Sequence, residues 1–150
     1  MTQRGFTLLE MLVTATVLAI LASAVIPMAR NGIRRQKELE LRRDLRELRQ
    51  AIDSYKAAAD GNKIKAPPPE NMGYPESLDI LVEGVPVTGK NAKVRFLRRI
   101  PLDPFTQKPE WGMRAMADDA TSSSWGGGNV YDVYTLTPGK GSNDIPYRQW

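Results

Sequence analysis

Glu10 is the residue whose type and position ask most clearly for chemistry. It is the only charged side chain between Phe6 and Ala29, in a stretch made otherwise of apolar and small residues. A carboxylate near the centre of a bilayer costs about 2.5–3.5 kcal/mol on insertion scales, and one nearer the edge costs less but still wants a counter-charge. The residues leading to it read Arg4-Gly5-Phe6-Thr7-Leu8-Leu9-Glu10. Elsewhere the chemistry is sparse. The chain has no histidine and no cysteine, which removes the usual zinc sites, cysteine nucleophiles, histidine bases and Ser-His-Asp triads. It also removes any disulfide framework. No spacing of serine with lysine, or of paired carboxylates, suggests another catalytic site. Gly126-Gly127-Gly128 follows Ser122-Ser123-Ser124-Trp125 without a Gly-Lys-Ser/Thr ending, so it reads as a turn and not a phosphate loop. The expectation is a protein that is not an enzyme and carries no certain cofactor.

The elements that must position Glu10 divide the chain into unlike halves. With 150 residues there is room for one domain and an appendage. Met11 to Ala29 is uncharged. As a helix rising 1.5 Å per residue it would span roughly 28 Å, close to the hydrocarbon thickness of a bilayer. Leu8, Leu9, Leu12, Val13, Val17, Leu18, Ile20, Leu21, Val25 and Ile26 leave no broad polar face. The segment is therefore a membrane helix or a secretory signal peptide. Ala22-Ser23-Ala24 would supply a small-x-small cleavage site for the second reading. Against it stand the very short leader, with Arg4 its only charged side chain, and Glu10 itself, which a signal peptide does not need.

Gly5-Phe6, Glu10 and the long apolar run resemble the precursor signature of type IV pilins and pseudopilins. The resemblance implies that a membrane-embedded prepilin peptidase cuts after Gly5 and methylates the new Phe6 amine. Gly5, lacking a side chain, would let extended backbone enter the protease cleft closely. The cation left on Phe6 would then be neutralised by Glu10 of a neighbouring subunit, ordering the axial register of a filament and relieving two unpaired charges in lipid. Pro27 cannot donate to the Ser23 carbonyl, so the helix either ends or kinks there; the family pattern favours a kink. Arg30, Arg34, Arg35 and Lys37 follow the apolar run and by the positive-inside tendency would lie in the cytoplasm. The peptidase signature requires the opposite orientation, with the leader in the cytoplasm.

Beyond the apolar run, Leu41, Leu45, Leu48, Ile52, Tyr55 and Ala59 repeat at helical spacing. The other face of that helix offers Glu38–Arg42, Arg43–Glu47 and Glu40–Arg43 pairs, ended by Gly61-Asn62. One near-continuous helix from Phe6 to about Asp60 is expected, roughly 80 Å long. Arg30 to Gln50 holds eight basic and four acidic residues, which accounts for the whole net charge of +4. The interleaved acids and the lack of an aromatic before Tyr55 favour a solvated, ion-paired face over a nucleic-acid surface.

After Pro67-Pro68-Pro69 turns the chain, Pro75 to Glu83 reads as a short helix stopped by Gly84. Arg95 to Ile100 enters a fixed connector, Pro101-Leu102-Asp103-Pro104. Trp111–Met116 and Val130–Thr137 read as strands of a hairpin closed by Asp118–Asn129. Docking such a sheet on the Leu45–Leu48–Ile52–Tyr55 stripe completes one core. The fold class is thus α+β, a long N-terminal helix packed on a small antiparallel sheet. The divisions expected are a leader at 1–5, a transmembrane and polymerisation helix at 6–29, an amphipathic helix at 30–60 and a globular domain at 61–150.

Arg99-Ile100-Pro101-Leu102-Asp103-Pro104, Trp111-Gly112, Tyr131-Asp132-Val133-Tyr134 and Asn143-Asp144-Ile145 resemble the G-type major pseudopilin of type II secretion systems. That implies a structural subunit of a periplasmic pseudopilus. It would cross the inner membrane once, with its C-terminal domain in the periplasm. Its partners would be copies of itself, other pseudopilins, the inner-membrane assembly platform and the peptidase. A type IV pilin serving adhesion, motility or DNA uptake is the alternative; many such pilins close a C-terminal loop with a disulfide, which this chain cannot make. A non-polymerising secreted protein is the third reading. The resemblance also implies calcium in the loop after the last strand, with Asp144, Asn143 and Ser142 as ligands. Calcium takes six to eight oxygens, several from carboxylates, and here Lys140 stands where a second acid is expected. A turn ordered by glycine, Ser142 and Asn143 is the competing expectation.

Overall fold

The computed structural model describes residues 5–150, the side chains of 24–30 excepted. Helix α1 runs Leu8–Asp60, two residues inside the expected start. Thr7 caps it: its Oγ1 accepts from the Glu10 amide at 3.2 Å, and its carbonyl accepts from Met11 N at 3.1 Å. At the other end Asn62 takes φ 52°, and the amides of Gly61 and Lys63 return to the Ala57 and Ala58 carbonyls. The last turn's acceptors are thereby satisfied by a left-handed cap. The expected kink at Pro27 depends on residues whose placement lies outside the described ones.

Two compact units divide the chain, Met1–Gln36 and Lys37–Trp150. In the second, every residue of the expected stripe is buried: Leu41, Leu45, Leu48, Ile52, Tyr55 and Ala59. Against them pack Ile64, Leu78, Leu81, Val85, Leu97, Trp111, Val130, Val133 and Tyr147. A helix with one apolar stripe cannot bury it alone, and the rest of this unit supplies the missing side.

Helix α2 is shorter than expected, Asp79–Glu83, and stops at Gly84. Gly84 has φ 86°, and a Cβ there would meet the Val94 carbonyl oxygen at 2.9 Å, so only glycine suits this exit. The antiparallel sheet is two separate ribbons. Strands β1 (Val85–Pro86) and β2 (Lys93–Val94) form one, which the sequence pattern did not announce. Strands β3 (Trp111–Arg114) and β4 (Asp132–Thr135) form the other, within the expected spans, with Gly112 opposite Tyr134 and Arg114 opposite Asp132.

The connector is held as a fixed element. Asp103 is fully buried; its Oδ1 accepts from the Phe105 amide at 2.7 Å and its Oδ2 from the Thr135 hydroxyl. Trp111 Nε1 donates to the Pro101 carbonyl at 2.9 Å. The two prolines restrict the backbone, and these side chains tie it to β3 and β4.

Candidate assembly segment and C-terminal loop

The N-terminal segment presents its apolar side chains outward. Phe6 is 76 % exposed, Leu8 83 % and Leu12 59 %, with Leu9, Met11, Val13, Val17, Leu18, Ile20 and Leu21 also exposed. A run of this kind on a soluble surface far exceeds the single exposed apolar residues that need no explanation. Its polar side chains turn back onto the helix: Thr14 Oγ1 donates to Met11 O at 3.0 Å, Thr16 Oγ1 to Leu12 O at 2.7 Å, and Ser23 Oγ to Ile20 O at 2.7 Å. Hydroxyls satisfied inside their own helix suit an apolar medium, which offers them no water.

Gly5, Phe6, Thr7 and Glu10 line one open hollow of about 480 Å³. The expected processing and assembly residues are thus neighbours in space, and the carboxylate of Glu10 reaches the surface there. Nothing lies within 4 Å of a Cβ added at Gly5. Among the described residues no neighbour demands glycine at that position. Among the described residues no helix is long and apolar enough to cross a membrane; the uncharged run continues through 24–29, whose side chains lie outside them.

The basic half of α1 is less uniformly solvated than its charge pattern suggests. Glu38, expected on the outer face, is buried. Its Oε1 accepts from Ser142 N at 3.1 Å and from the Tyr147 hydroxyl at 2.9 Å, and its Oε2 accepts from Ser142 Oγ at 2.6 Å. Arg49 donates to Asp132 Oδ1 at 2.7 Å, to the Val133 carbonyl at 3.1 Å and to Trp150 O at 2.6 Å. Arg114 meets the other Asp132 oxygen at 3.1 Å and the Arg148 carbonyl at 2.9 Å. Asp132 therefore bridges two guanidinium groups and fastens helix, hairpin and C-terminal turn together. The sequence reading gave Glu38 only a pairing with Arg42 on the outer face and did not single out this network. Their only local signal is position, since Glu38 and Arg49 flank the buried stripe residues Leu41, Leu48 and Ile52.

Asp44 also turns inward. Burial raises its carboxyl above the usual range, Glu40 adds to that, Arg43 opposes it, and Glu47 and Asp103 raise it further.

The expected calcium ligands sit in the loop between β4 and the final 3₁₀ turn, Tyr147–Gln149. Ser142 is engaged with Glu38, and Asn143 Oδ1 accepts from the Ile145 amide at 3.3 Å. Asp144 is exposed at φ 60°. The carbonyls of Gly139, Gly141 and Ile145 already accept from Tyr147, Asp144 and Gly141 amides respectively. Among the described residues no three Asp, Glu, His or Cys side chains converge as a cation cage would. This donor set does not fit a calcium ion.

Comparison with known proteins bears on the whole chain. Residues 1–26 match the prokaryotic N-terminal methylation motif. The type II secretion system core protein G of Klebsiella pneumoniae is 30 % identical over 142 residues, covering 91 % of this chain and 85 % of that protein. The Dickeya chrysanthemi core protein G is 30 % identical over 141 residues, 85 % and 89 % of the two chains.

The chain belongs to the type II secretion system core protein G family.

The core protein G of Escherichia coli K12 is likewise 30 % identical, over 109 residues, covering 69 % of this chain and 67 % of that protein. No solved structure matches the chain. Membership in the family, with the methylation motif, gives the chain a pseudopilin-like role. The relatives are named as secretion-system core proteins and not as enzymes. The α+β arrangement, a long N-terminal helix with small antiparallel ribbons, is consistent with the pilin fold.

Proposed function

We propose that this chain is a structural subunit of a periplasmic pseudopilus in type II protein secretion, assembled through its N-terminal helix. Residues 1–5 are a leader removed by the prepilin peptidase, and 6–29 anchor the subunit in the inner membrane before assembly. Residues 30–60 form a packing spine for a periplasmic domain at 61–150. The partners are further copies of the chain, other pseudopilins and the inner-membrane platform. A type IV pilus subunit would share the N-terminal motif, but the likeness to core protein G runs well beyond residue 26.

The observation that carries this reading is the exposed apolar segment with a lone carboxylate beside Phe6. Cleavage after Gly5 leaves a cationic amine on Phe6. Glu10 is the one acid in the segment able to neutralise it, and in a low-dielectric surround an unpaired charge costs far more than a paired one. The glycine fits the same account, because no described neighbour demands it and a protease cleft does.

The direct test is incorporation. Glu10→Ala, co-expressed with a tagged wild-type copy and the secretion machinery, should be inserted and processed but recovered poorly in sheared filaments. Recovery equal to wild type removes Glu10 from assembly.

A further inference from the structure

The loop of residues 139–147 is closed upon itself by three backbone bonds, from Gly141 N to Ile145 O at 2.8 Å, Asp144 N to Gly141 O at 3.0 Å and Tyr147 N to Gly139 O at 3.1 Å. Ser142 and Tyr147 of that ring both donate to one carboxylate of helix α1. The geometry points to Glu38: we infer that this helix carboxylate, and not a divalent cation, holds the C-terminal loop in place. Glu38 is 6 % exposed and accepts hydrogen bonds from the amide and hydroxyl of Ser142 and from the Tyr147 hydroxyl. A cation gathers a loop by offering positive charge to its oxygens. Glu38 does the reverse, offering negative charge to its donors.

The two devices use Ser142 in opposite ways, Glu38 taking its donors where a cation would take its oxygen lone pairs. Its N–H points at a Glu38 oxygen, and its hydroxyl proton is committed to the other. Charge-assisted bonds of this kind are about twice as strong as neutral ones, and the bond from Tyr147 is buried away from competing water. Aromatic packing completes the clasp. Tyr147 packs on Phe105 in a tilted arrangement with ring centroids 4.9 Å apart, and meets Trp150 edge-on at 5.0 Å. Gly141 lies so close to Trp150 that a Cβ there would collide with the indole ring. Arg42 covers that ring at 4.1 Å. Since Glu38 lies one turn before Arg42 on α1, the helix holds the loop and the terminal tryptophan from a single face.

The experiment uses the full chain in detergent micelles, with either millimolar calcium chloride or a chelator. Hydrogen exchange over 139–147 and the melting temperature are read for wild type, Glu38→Ala and Glu38→Gln. Wild type should exchange and melt alike in both solutions. Glu38→Ala should speed loop exchange by at least about tenfold, the equivalent of one charged hydrogen bond, equally with and without calcium. Glu38→Gln keeps an acceptor of similar shape and should fall between; if Glu38→Ala does not fold, faster loop exchange in Glu38→Gln supports the same conclusion. Calcium-dependent slowing of loop exchange in wild type overturns the inference and makes the loop a metal site. Unchanged loop exchange in the variants that fold also overturns it. None of these readouts involves processing or filament formation, so the latch and the pseudopilus reading fail independently.

Discussion

Leu12 and Leu48 are the same residue in the same helix, yet Leu12 is 59 % exposed and Leu48 is wholly buried. The C-terminal unit supplies its own partners, a closed set of aliphatic and aromatic side chains around one helical stripe. The N-terminal segment has the apolar content of a core and nothing of its own to bury it against. Burial of apolar surface is the main drive in folding and association alike, so the C-terminal unit is stable as a fold, and the N-terminal segment is suited to be the proposed interface. On the proposed function, lipid would cover it before assembly and further copies afterwards.

Truncation separates the two regions most sharply. Leu48→Ala should lower the unfolding free energy of the C-terminal unit by about 2–5 kcal/mol, the range for emptying a buried leucine site. Leu12→Ala should leave that unit's melting unchanged and instead reduce recovery in filaments. Equal thermal effects from both would break the contrast. Asp103 comes next. Asp103→Asn keeps the shape but puts an amide where the carboxylate takes donors from Phe105, Thr106, Thr135 and Thr137. A loss of about 1–3 kcal/mol is expected in chemical denaturation, and no loss would show that the prolines alone fix the connector.

The smallest effect belongs to Asp44. Its carboxyl is raised in the folded state by burial and by neighbouring acids, so the folded protein binds that proton more tightly than the unfolded chain. Stability therefore falls as pH rises from the ordinary aspartate range through the raised value, and the penalty is fully present at neutral pH. Asp44→Asn should raise the melting temperature slightly at pH 7. The gain should fade below the ordinary aspartate range, where both states are protonated. A gain that persists in acid would assign the effect to packing.

Much of this contrast was legible in the residues. The stripe from Leu41 to Ala59, the Gly61-Asn62 stop, the rigid connector and the β3–β4 hairpin all carry local periodic or turn signals, and each stands where its pattern placed it. The features that were not legible join residues far apart in the chain. Glu38 meets Ser142, and Arg49 meets Asp132 and Trp150, across separations of 83 to 104 residues. On α1 these two look like any charged residue of a solvated face, and only the docking of the C-terminal loop turns them inward. The β1–β2 ribbon was missed because strands of two residues have no periodicity to read. In the N-terminal segment Thr7, Thr14 and Thr16 were passed over, although a threonine before an apolar helical run is itself a capping signal.

An N-terminal segment that serves as an interface and one that is a discarded signal leave different mature termini. Cells that contain a prepilin peptidase should therefore be made to express the full chain, and the protein recovered from membranes and sheared filaments analysed by intact mass and N-terminal peptide. The predicted product begins at Phe6 with a methylated amine and retains the whole helix. A mature protein that begins at Val25, with the apolar segment gone, contradicts it.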